Sequence, residues 1–421
     1  MRQHHDIVVI GGGQAGLAMS AVLQRRGLEH VVLERGQVGG RWRTERWDSL
    51  RFQFPNWSLE LPGYAYAGDE PDGFAHWHEI LYIIEEYAAA VRAPLREHTD
   101  VTELRTDDRG FALSVPDGTI HARQVVVATG PFQRPRVPEL SQGVAPWVLQ
   151  TDPTQYRRGE ELPDGAVLVI GSGASGCQIG DELLRAGRTV FLSVSRHRRV
   201  PRRYRGKDVY WWLERMGRFA QTIDTFPGRE WPPSTVVTGV SGGYDVDVRS
   251  MAAEGIRVLG RVIGVSDGTL TAAEDANDVL DEADASFAGF LAAAREFASA
   301  NPGVDPAEQE DVAPASLPLM VPEISSLDLR RERVSAIIWA TGYEYDYSWL
   351  RLPVFDRRGR PLHQRGVSPL PGLYFLGLHW MHTFKSGLFS GVGADAEYLA
   401  EQIEQASGVA HLTGLTSRRS T

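Results

Sequence analysis

Apolar residues along this chain come in short blocks, and two of those blocks open the same pattern. Ile7–Ile10 runs into the glycine turn GGGQAG (Gly11 to Gly16), an amphipathic stretch, Gly27 and a second apolar block ending at Leu33. Ala166–Ile170 runs into GSGASG (Gly171 to Gly176), another amphipathic stretch, Gly187 and a block ending at Leu192. At an offset of 160 residues, Gly11, Gly13, Gly16 and Gly27 fall on Gly171, Gly173, Gly176 and Gly187, and Val9, Ile10 and Leu23 fall on Val169, Ile170 and Leu183. Each copy predicts a strand, a tight turn, a helix of about three turns and a second strand. The doubled pattern predicts an α/β fold of two Rossmann-like dinucleotide-binding domains, the second inserted into the first. The near twins VVVATG, ending at Gly130, and IIWATG, ending at Gly342, read as the strands leaving and re-entering the first domain. The boundaries drawn on this basis are 1–155 with 334–421 for the first domain and 156–333 for the second.

A variable, partly helical segment covers about 213–333. Within it, Val279, Ala283, Phe287, Leu291, Ala294 and Phe297 share one helical face, with acids on the other, and Asn301-Pro302-Gly303 stops the helix. "IRVLGRVIGV" and "GTLTA" read as short strands. His76 and His78 read as flanking a helix start, and "YFLG" followed by "GADAEYLAEQI" as a strand and a helix.

The glycines have distinct physical jobs: the first makes the tight turn, the second lets backbone approach a pyrophosphate, and the third lets helix pack close on strand. The pyrophosphate sits at the helix N-terminus, where free N–H groups and the helix dipole favour negative charge. The copies differ where their ligands should differ. Glu34 lies eighteen residues past Gly16, where an acid accepts hydrogen bonds from ribose hydroxyls and repels a 2′-phosphate. The second copy has Val194 there, followed by Ser195 and Arg196, a hydroxyl and a guanidinium suited to a 2′-phosphate. FAD in the first domain and NADPH in the second follow as the expected cofactors. Glu34 as a solvated strand end and Arg196 as a surface arginine are the plain alternatives. The basic run "RHRRVPRRYRGK" (Arg196 to Lys207) reads as phosphate and NADPH recognition or as a solvated loop. "VYWWL" after it reads as a wall of the nicotinamide or substrate cavity, or as core.

Composition narrows the classes. A chain of 421 residues exceeds one hydrophobic core. Its formal net charge of −10 argues against nucleic acid as a partner. Cys177 is the only cysteine, so there is no disulfide framework, redox pair or thiolate metal site. His379 and His382 lack a surrounding ligand set, and no metal is expected; with Trp380 and Lys385 they are candidates for lining a flavin pocket. No apolar run is long enough to span a membrane, and the start of the chain carries no signal-peptide pattern, so a cytoplasmic location is expected.

The sequence also resembles the class B flavin-dependent monooxygenases, which include flavin-containing monooxygenases and plant auxin-forming enzymes. The resemblance rests on GGGQAG with Glu34, Gly39-Gly40-Arg41-Trp42, "LRFQFPNWSLELPG" from Leu50, VVVATG, GSGASG with Ser195-Arg196, and IIWATGY to Tyr343. It covers most of residues 6–212 and 334–404. It implies that NADPH reduces FAD, that reduced flavin takes up O2 as a C4a-(hydro)peroxide, and that one oxygen atom passes to a small-molecule substrate while the other leaves as water. Carried over by position, Gly11, Gly13, Gln14, Ala15, Gly16, Glu34, Arg35, Gly40, Arg41, Trp42, Val101, Gly130 and Gly342 are expected at the FAD. Gly171, Gly173, Ala174, Ser175, Gly176, Ser195 and Arg196 are expected at the NADPH. Gln53 matches the amide or imidazole that relatives turn toward the flavin, and is the expected catalytic residue. One departure stands out: Val144, Pro146 and Gln150 occupy positions where relatives carry Phe, Gly and His in the linker between the nucleotide motifs, and Tyr156 follows two residues late. The expected activity is oxygen insertion at nitrogen or sulfur, with carbon left open. An NADPH:acceptor flavin reductase or oxidase without oxygenation is the alternative. A homodimer is left open.

Overall fold

The computed structural model describes residues 4–225, 235–303 and 320–417. Continuous apolar runs such as Val8-Val9-Ile10 are what a parallel strand covered on both faces requires, and the first sheet is built around them. His4–Ile10 lies between His30–Leu33 and Gly118–Val127, all parallel, with Val9 opposite Val32 on one side and Val126 on the other. Leu95–Arg96 extends the sheet past His30–Leu33. Gly118–Val127 serves two partners along its other edge. Its first half forms an antiparallel hairpin with Gly110–Val115, which in turn carries Glu103–Asp107, and its second half takes Leu373–Phe375 in parallel. The helices Gln14–Arg25 and Phe389–Ser417 pack on one another. Their rims are tied by Arg26 to Glu397 at 3.2 Å and to Glu404 at 2.7 Å.

The second sheet is wholly parallel, in the order Leu149–Thr151, Val334–Trp339, Ala166–Ile170, Val190–Ser193, Arg257–Leu259. This corrects the boundaries drawn from sequence. Val334–Trp339 and Leu149–Thr151 belong to the second domain, so the chain leaves the first before Leu149 and returns after Gly342. Of the twin strands, Gly118–Val127 is the first-sheet strand from which the chain crosses, as expected of the exit, while Val334–Trp339 pairs inside the second sheet and is not the re-entry strand. They are equivalent members of the two repeats: Val126 pairs with Val9, and Ile338 pairs with Val169. The two crossing segments run side by side, with Tyr343 opposite Pro135 and Glu344 opposite Arg134.

The twins also explain two of the glycines in each turn. A Cβ on Gly11 (φ +114°) would run into the Ala128 carbonyl, and one on Gly16 into the Gly11 carbonyl. Gly171 (φ +109°) and Gly176 meet the Ala340 and Gly171 carbonyls in the same way. Helix, turn and neighbouring strand thus touch backbone to backbone.

In the segment after residue 213, the helix Ala276–Ala300 ends at Asn301 as expected. Its buried face runs through Ala276, Leu280, Ala283, Phe287, Phe290, Ala294 and Ala298. Val279, Leu291 and Phe297 are only half-buried, so the true face is rotated by about one residue from the expected one. The acids opposite are not all solvated. Asp284 accepts from Arg199 at 2.8 Å and from Arg249 at 2.9 Å, and Asp281 pairs with Arg249; both arginines are buried. Burying a guanidinium demands such a partner, and this requirement turns the helix toward the second sheet. His76 caps the helix Trp77–Ala90 in a box with Glu79, as its position suggested.

Replacing Gly16 by Ala forces backbone apart, which no side-chain rotation relieves. We expect a loss of about 1–3 kcal/mol, the usual scale for overpacking, read as a lowered urea midpoint; an unchanged midpoint would mean that the turn is packed otherwise.

Candidate functional site

Both glycine-turn helices begin without a side-chain cap. Gly13 and Gly173 occupy the N-cap positions, and neither first turn contains an acid. The first N–H groups of each helix are therefore left for another acceptor. Gly13 carries the sharpest clue. A Cβ there would meet no protein atom within 4 Å, and its φ of −90° suits any residue. The protein's own packing gives no reason for glycine at 13; open space in front of an uncapped helix end does, and it fits a pyrophosphate.

Around this turn, Glu34 is anchored rather than loose. Its carboxylate accepts from the N–H of Gly12 at 2.7 Å and of Gly36 at 3.0 Å, which fixes it at the strand end with lone pairs to spare for ribose hydroxyls. Gln14 donates to the Gly387 carbonyl at 3.0 Å, and Ala15 sits against Gly377. Arg35 is exposed, and Val101 is buried in the first core, just after Thr99, whose N–H donates to the Glu34 carbonyl.

The second turn is held by hydroxyls instead. Ser172 Oγ accepts from Ser195 N–H at 2.9 Å and donates to the Ser195 carbonyl at 2.8 Å, and His197 Nδ1 lies 2.9 Å from the same oxygen. Sequence reasoning missed Ser172 and His197; the serine inside GSGASG, facing Ser195 across the sheet end, was the available signal. Burial lowers the His197 pKa, so the ring is held neutral. Ala174 and Ser175 lie half-buried at the helix start, and Arg196 is exposed beside them in sequence. The rest of the basic run is largely not a phosphate patch. Arg199 is committed to Asp284 and Asp247, Arg202 to Asp208, and Arg203 to the Gly242 and Gly243 carbonyls. Arg198 carries no ion pair among the described residues; burial and the neighbouring Arg218 lower its pKa.

Aromatic side chains from both domains meet in one cluster. Helix Gly40–Thr44 presents Arg41, which bonds Glu45 and, at 2.7 Å, the Gln133 carbonyl, and Trp42, which lies edge-on to Phe52 beneath the Arg46 guanidinium. Phe52, Gln53 and Phe54 form one strip. Phe52 meets Phe389, Phe54 stacks on Tyr210 at 4.1 Å, and half-buried Gln53 lies between. Gly130 and Gly342 end the twin strands in left-handed conformations, with open space where a Cβ would go. Phe132 bridges Tyr343 and His379 by edge contacts, and burial pushes the His379 pKa down to about 4, leaving a neutral imidazole. Lys385 is held elsewhere: its ammonium pairs with Glu214 at 3.0 Å. "VYWWL" is the helix start capped by Asp208; Tyr210 and Trp212 are buried, and Trp211 is half-buried. Among the described residues, no cluster of three or more metal-ligating side chains occurs, and no helix is long and apolar enough to cross a membrane.

Two α/β domains, each with an uncapped glycine-helix turn at the end of a parallel strand, define the class of a protein with two nucleotide-binding folds. The chain belongs to the pyridine nucleotide-disulphide oxidoreductase family, whose signature spans residues 8–220. It is 33% identical over 405 residues to an uncharacterized CzcO-like oxidoreductase of Geobacillus kaustophilus, covering 94% of this chain and 98% of that protein. It is 34% identical over 186 residues to the indole-3-pyruvate monooxygenase YUCCA1 of Oryza sativa, covering 43% of this chain and 45% of that one. In fold it is similar to a flavin-containing monooxygenase from Stenotrophomonas maltophilia, with a TM-score of 0.68, 20% identity, and coverage of 96% of this chain and 99% of that one. The expected resemblance to flavin monooxygenases and the two-domain nucleotide-binding fold are thereby borne out. The protein is an oxidoreductase of that family.

Gly13→Ala separates ligand from packing. We expect an unfolding midpoint within about 0.5 kcal/mol of wild type, since the new Cβ touches nothing, and FAD affinity weakened by about tenfold or more, or ~1.4 kcal/mol. Flavin titration followed by fluorescence checks this; full FAD binding by a folded variant would place the flavin elsewhere.

Proposed function

We propose that this protein is an NADPH- and O2-dependent flavoprotein monooxygenase that transfers one oxygen atom to nitrogen or sulfur of a small molecule. The observation that carries the reading is a lone thiol, set inside the helix Ala174–Arg185 that the second glycine turn opens. Cys177 is the only cysteine, it is buried, and its pKa is pushed up to about 12. Hydride delivered by NADPH therefore has no internal disulfide to reduce and must pass to an external acceptor. Bound flavin would supply the hydride acceptance and the O2 chemistry. The chain's own part is to hold it and keep it dry. Gly11, Gly13, Gly16, the helix N-terminus and Glu34 would hold the pyrophosphate and ribose, with Arg41 and Trp42 beside the ring. The aromatic strip from Trp42 through Phe52 and Phe54 to Tyr210 excludes water. Gln53, an amide in that apolar strip, would hold a developing negative oxygen by donating a hydrogen bond.

In the second domain, Gly171, Gly173, Ser175, Gly176 and Ser195 would hold NADPH, with Arg196 on the 2′-phosphate. Arg196→Ala should raise KM for NADPH by about 10- to 150-fold, the worth of one charge-assisted contact of ~1.5–3 kcal/mol, and leave KM for NADH nearly unchanged. An equal change with both cofactors would move phosphate reading to Arg198.

Oxygenation is tested directly. With 18O2, NADPH and a panel of amines and sulfides, one heavy oxygen atom should appear in the product. Gln53→Leu should keep flavin reduction near normal while releasing more hydrogen peroxide per NADPH; the loss at one oxyanion donor reaches about 2.7–4 kcal/mol in other enzymes, and a smaller effect is expected here because bound NADP⁺ can share the role. No label in any product, with steady NADPH consumption, would replace this reading with an NADPH:acceptor reductase.

A further inference from the structure

Arg202 belongs to the basic run that sequence reading gave to phosphate, yet it is 1% exposed and faces the other way. Its guanidinium makes a fork. Nε donates to Asp208 Oδ2 at 2.9 Å, Nη2 donates to the same carboxylate, and Nη1 donates to the backbone carbonyl of Gln53 at 2.9 Å. The flat faces of the group are covered by Phe74 at 4.6 Å and Tyr210 at 5.2 Å. Its own N–H is held by Asp245 at 2.6 Å. Asp208 caps the helix Val209–Arg215 through the N–H of Tyr210 at 2.8 Å, and Tyr210 stacks on Phe54. On the other flank, a Cβ at Gly239 would strike Phe74 and the Phe52 carbonyl. Three consecutive residues, Phe52, Gln53 and Phe54, are thus gripped by groups 149 or more residues later in the chain: the backbone at 239, the Arg202 guanidinium and the Tyr210 ring.

We propose that Arg202 is a positioning residue for Gln53, fixing the peptide from which the Gln53 amide projects and so setting how much of the NADPH consumed ends in product. This rests on the monooxygenase reading above. A buried cation is an awkward fastener: desolvation opposes it, and only a complete set of partners offsets that. Asp208 supplies the charge, and the remaining nitrogen donates to the Gln53 carbonyl at 2.9 Å and more weakly to the Thr238 carbonyl at 3.5 Å. Lysine can satisfy Asp208, but its single nitrogen cannot hold both partners in the planar fork.

The test compares wild type, Arg202→Lys and the double variant Arg202→Met with Asp208→Asn. The double variant removes the buried charge together with its partner, and Asn still caps the helix. In both we expect bound FAD, the rate of flavin reduction by NADPH and, for the double variant, a urea midpoint close to wild type. We expect hydrogen peroxide released per NADPH to rise at least threefold, with product falling to match. If either folded variant keeps the wild-type product-to-NADPH ratio, Arg202 is a fold staple and the proposal is wrong. If wild type oxygenates no substrate, the monooxygenase reading has failed separately. The visible circular dichroism of bound FAD then decides: a changed band in Arg202→Lys at full FAD content supports the positioning role, and an unchanged band overturns it.

Discussion

A carbonyl oxygen pressed under a helix is the contact on which this architecture turns. Gly16 rests on the Gly11 carbonyl and Gly11 on that of Ala128, and the second domain repeats the stack with Gly176, Gly171 and Ala340. Because all the atoms are backbone, the helix cannot be shifted outward without breaking the turn. The helix N-terminus is therefore delivered to the same place over the sheet in both domains, with its N–H groups free. The two copies then anchor the turn to the second strand with different chemistry. In the first, the Glu34 carboxylate reaches back to Gly12. In the second, the anchoring group moves into the turn itself, where Ser172 holds Ser195. The mechanical tie persists while the negative charge disappears from the strand end, which is the change a 2′-phosphate would need.

The glycine turns, their strands and helices and the family were legible because each rests on a local pattern with a backbone cause. Three misreadings share a different origin. The twin ATG strands both read as first-domain strands in a linear text, but pairing partners lie more than a hundred residues away, and only the register shows that the second twin closes the second repeat. The long helix after residue 275 kept its ends and lost its expected face. Phe290 replaces Leu291 in the core because Asp281 and Asp284 must reach the buried Arg199 and Arg249. The basic run was read by its charge, whereas its function follows from burial. Composition tells how many cations there are, but not which of them have carboxylates waiting.

That last point alters how the second domain is understood. Arg199 and Arg202 sit three residues apart and run to different partners, one to the long helix through Asp284 and the other to the first domain through Gln53. The segment that follows the expected nucleotide phosphate is thus a structural junction, binding the variable region on one side and the aromatic strip on the other. Among the described residues, the exposed Arg196 and the half-buried Arg198 carry no ion pair within it.

The grip on Phe52–Phe54 also constrains motion between the domains. These residues are covalently part of the first domain: Phe52 donates to the Ala75 carbonyl at 2.7 Å, within the loop that leads to the helix Trp77–Ala90. The Phe54 ring and the Gln53 carbonyl are held by the second domain's Tyr210 and Arg202, while Phe52 packs on Trp42 and Phe389 of the first. A rigid rotation of one domain against the other must then either tear the Gln53 carbonyl from a buried guanidinium, leaving that cation short of a partner in an apolar setting, or carry the strip along and strain its link to Ala75. Both are costly compared with a surface contact. The crossing strands at Arg134–Pro135 and Tyr343–Glu344 are short and at the margin, so they are the softer element. Any opening that admits a nucleotide is therefore more easily absorbed there and at the exposed phosphate end than at Gln53, which leaves the proposed oxygen-handling amide fixed while its cofactors come and go.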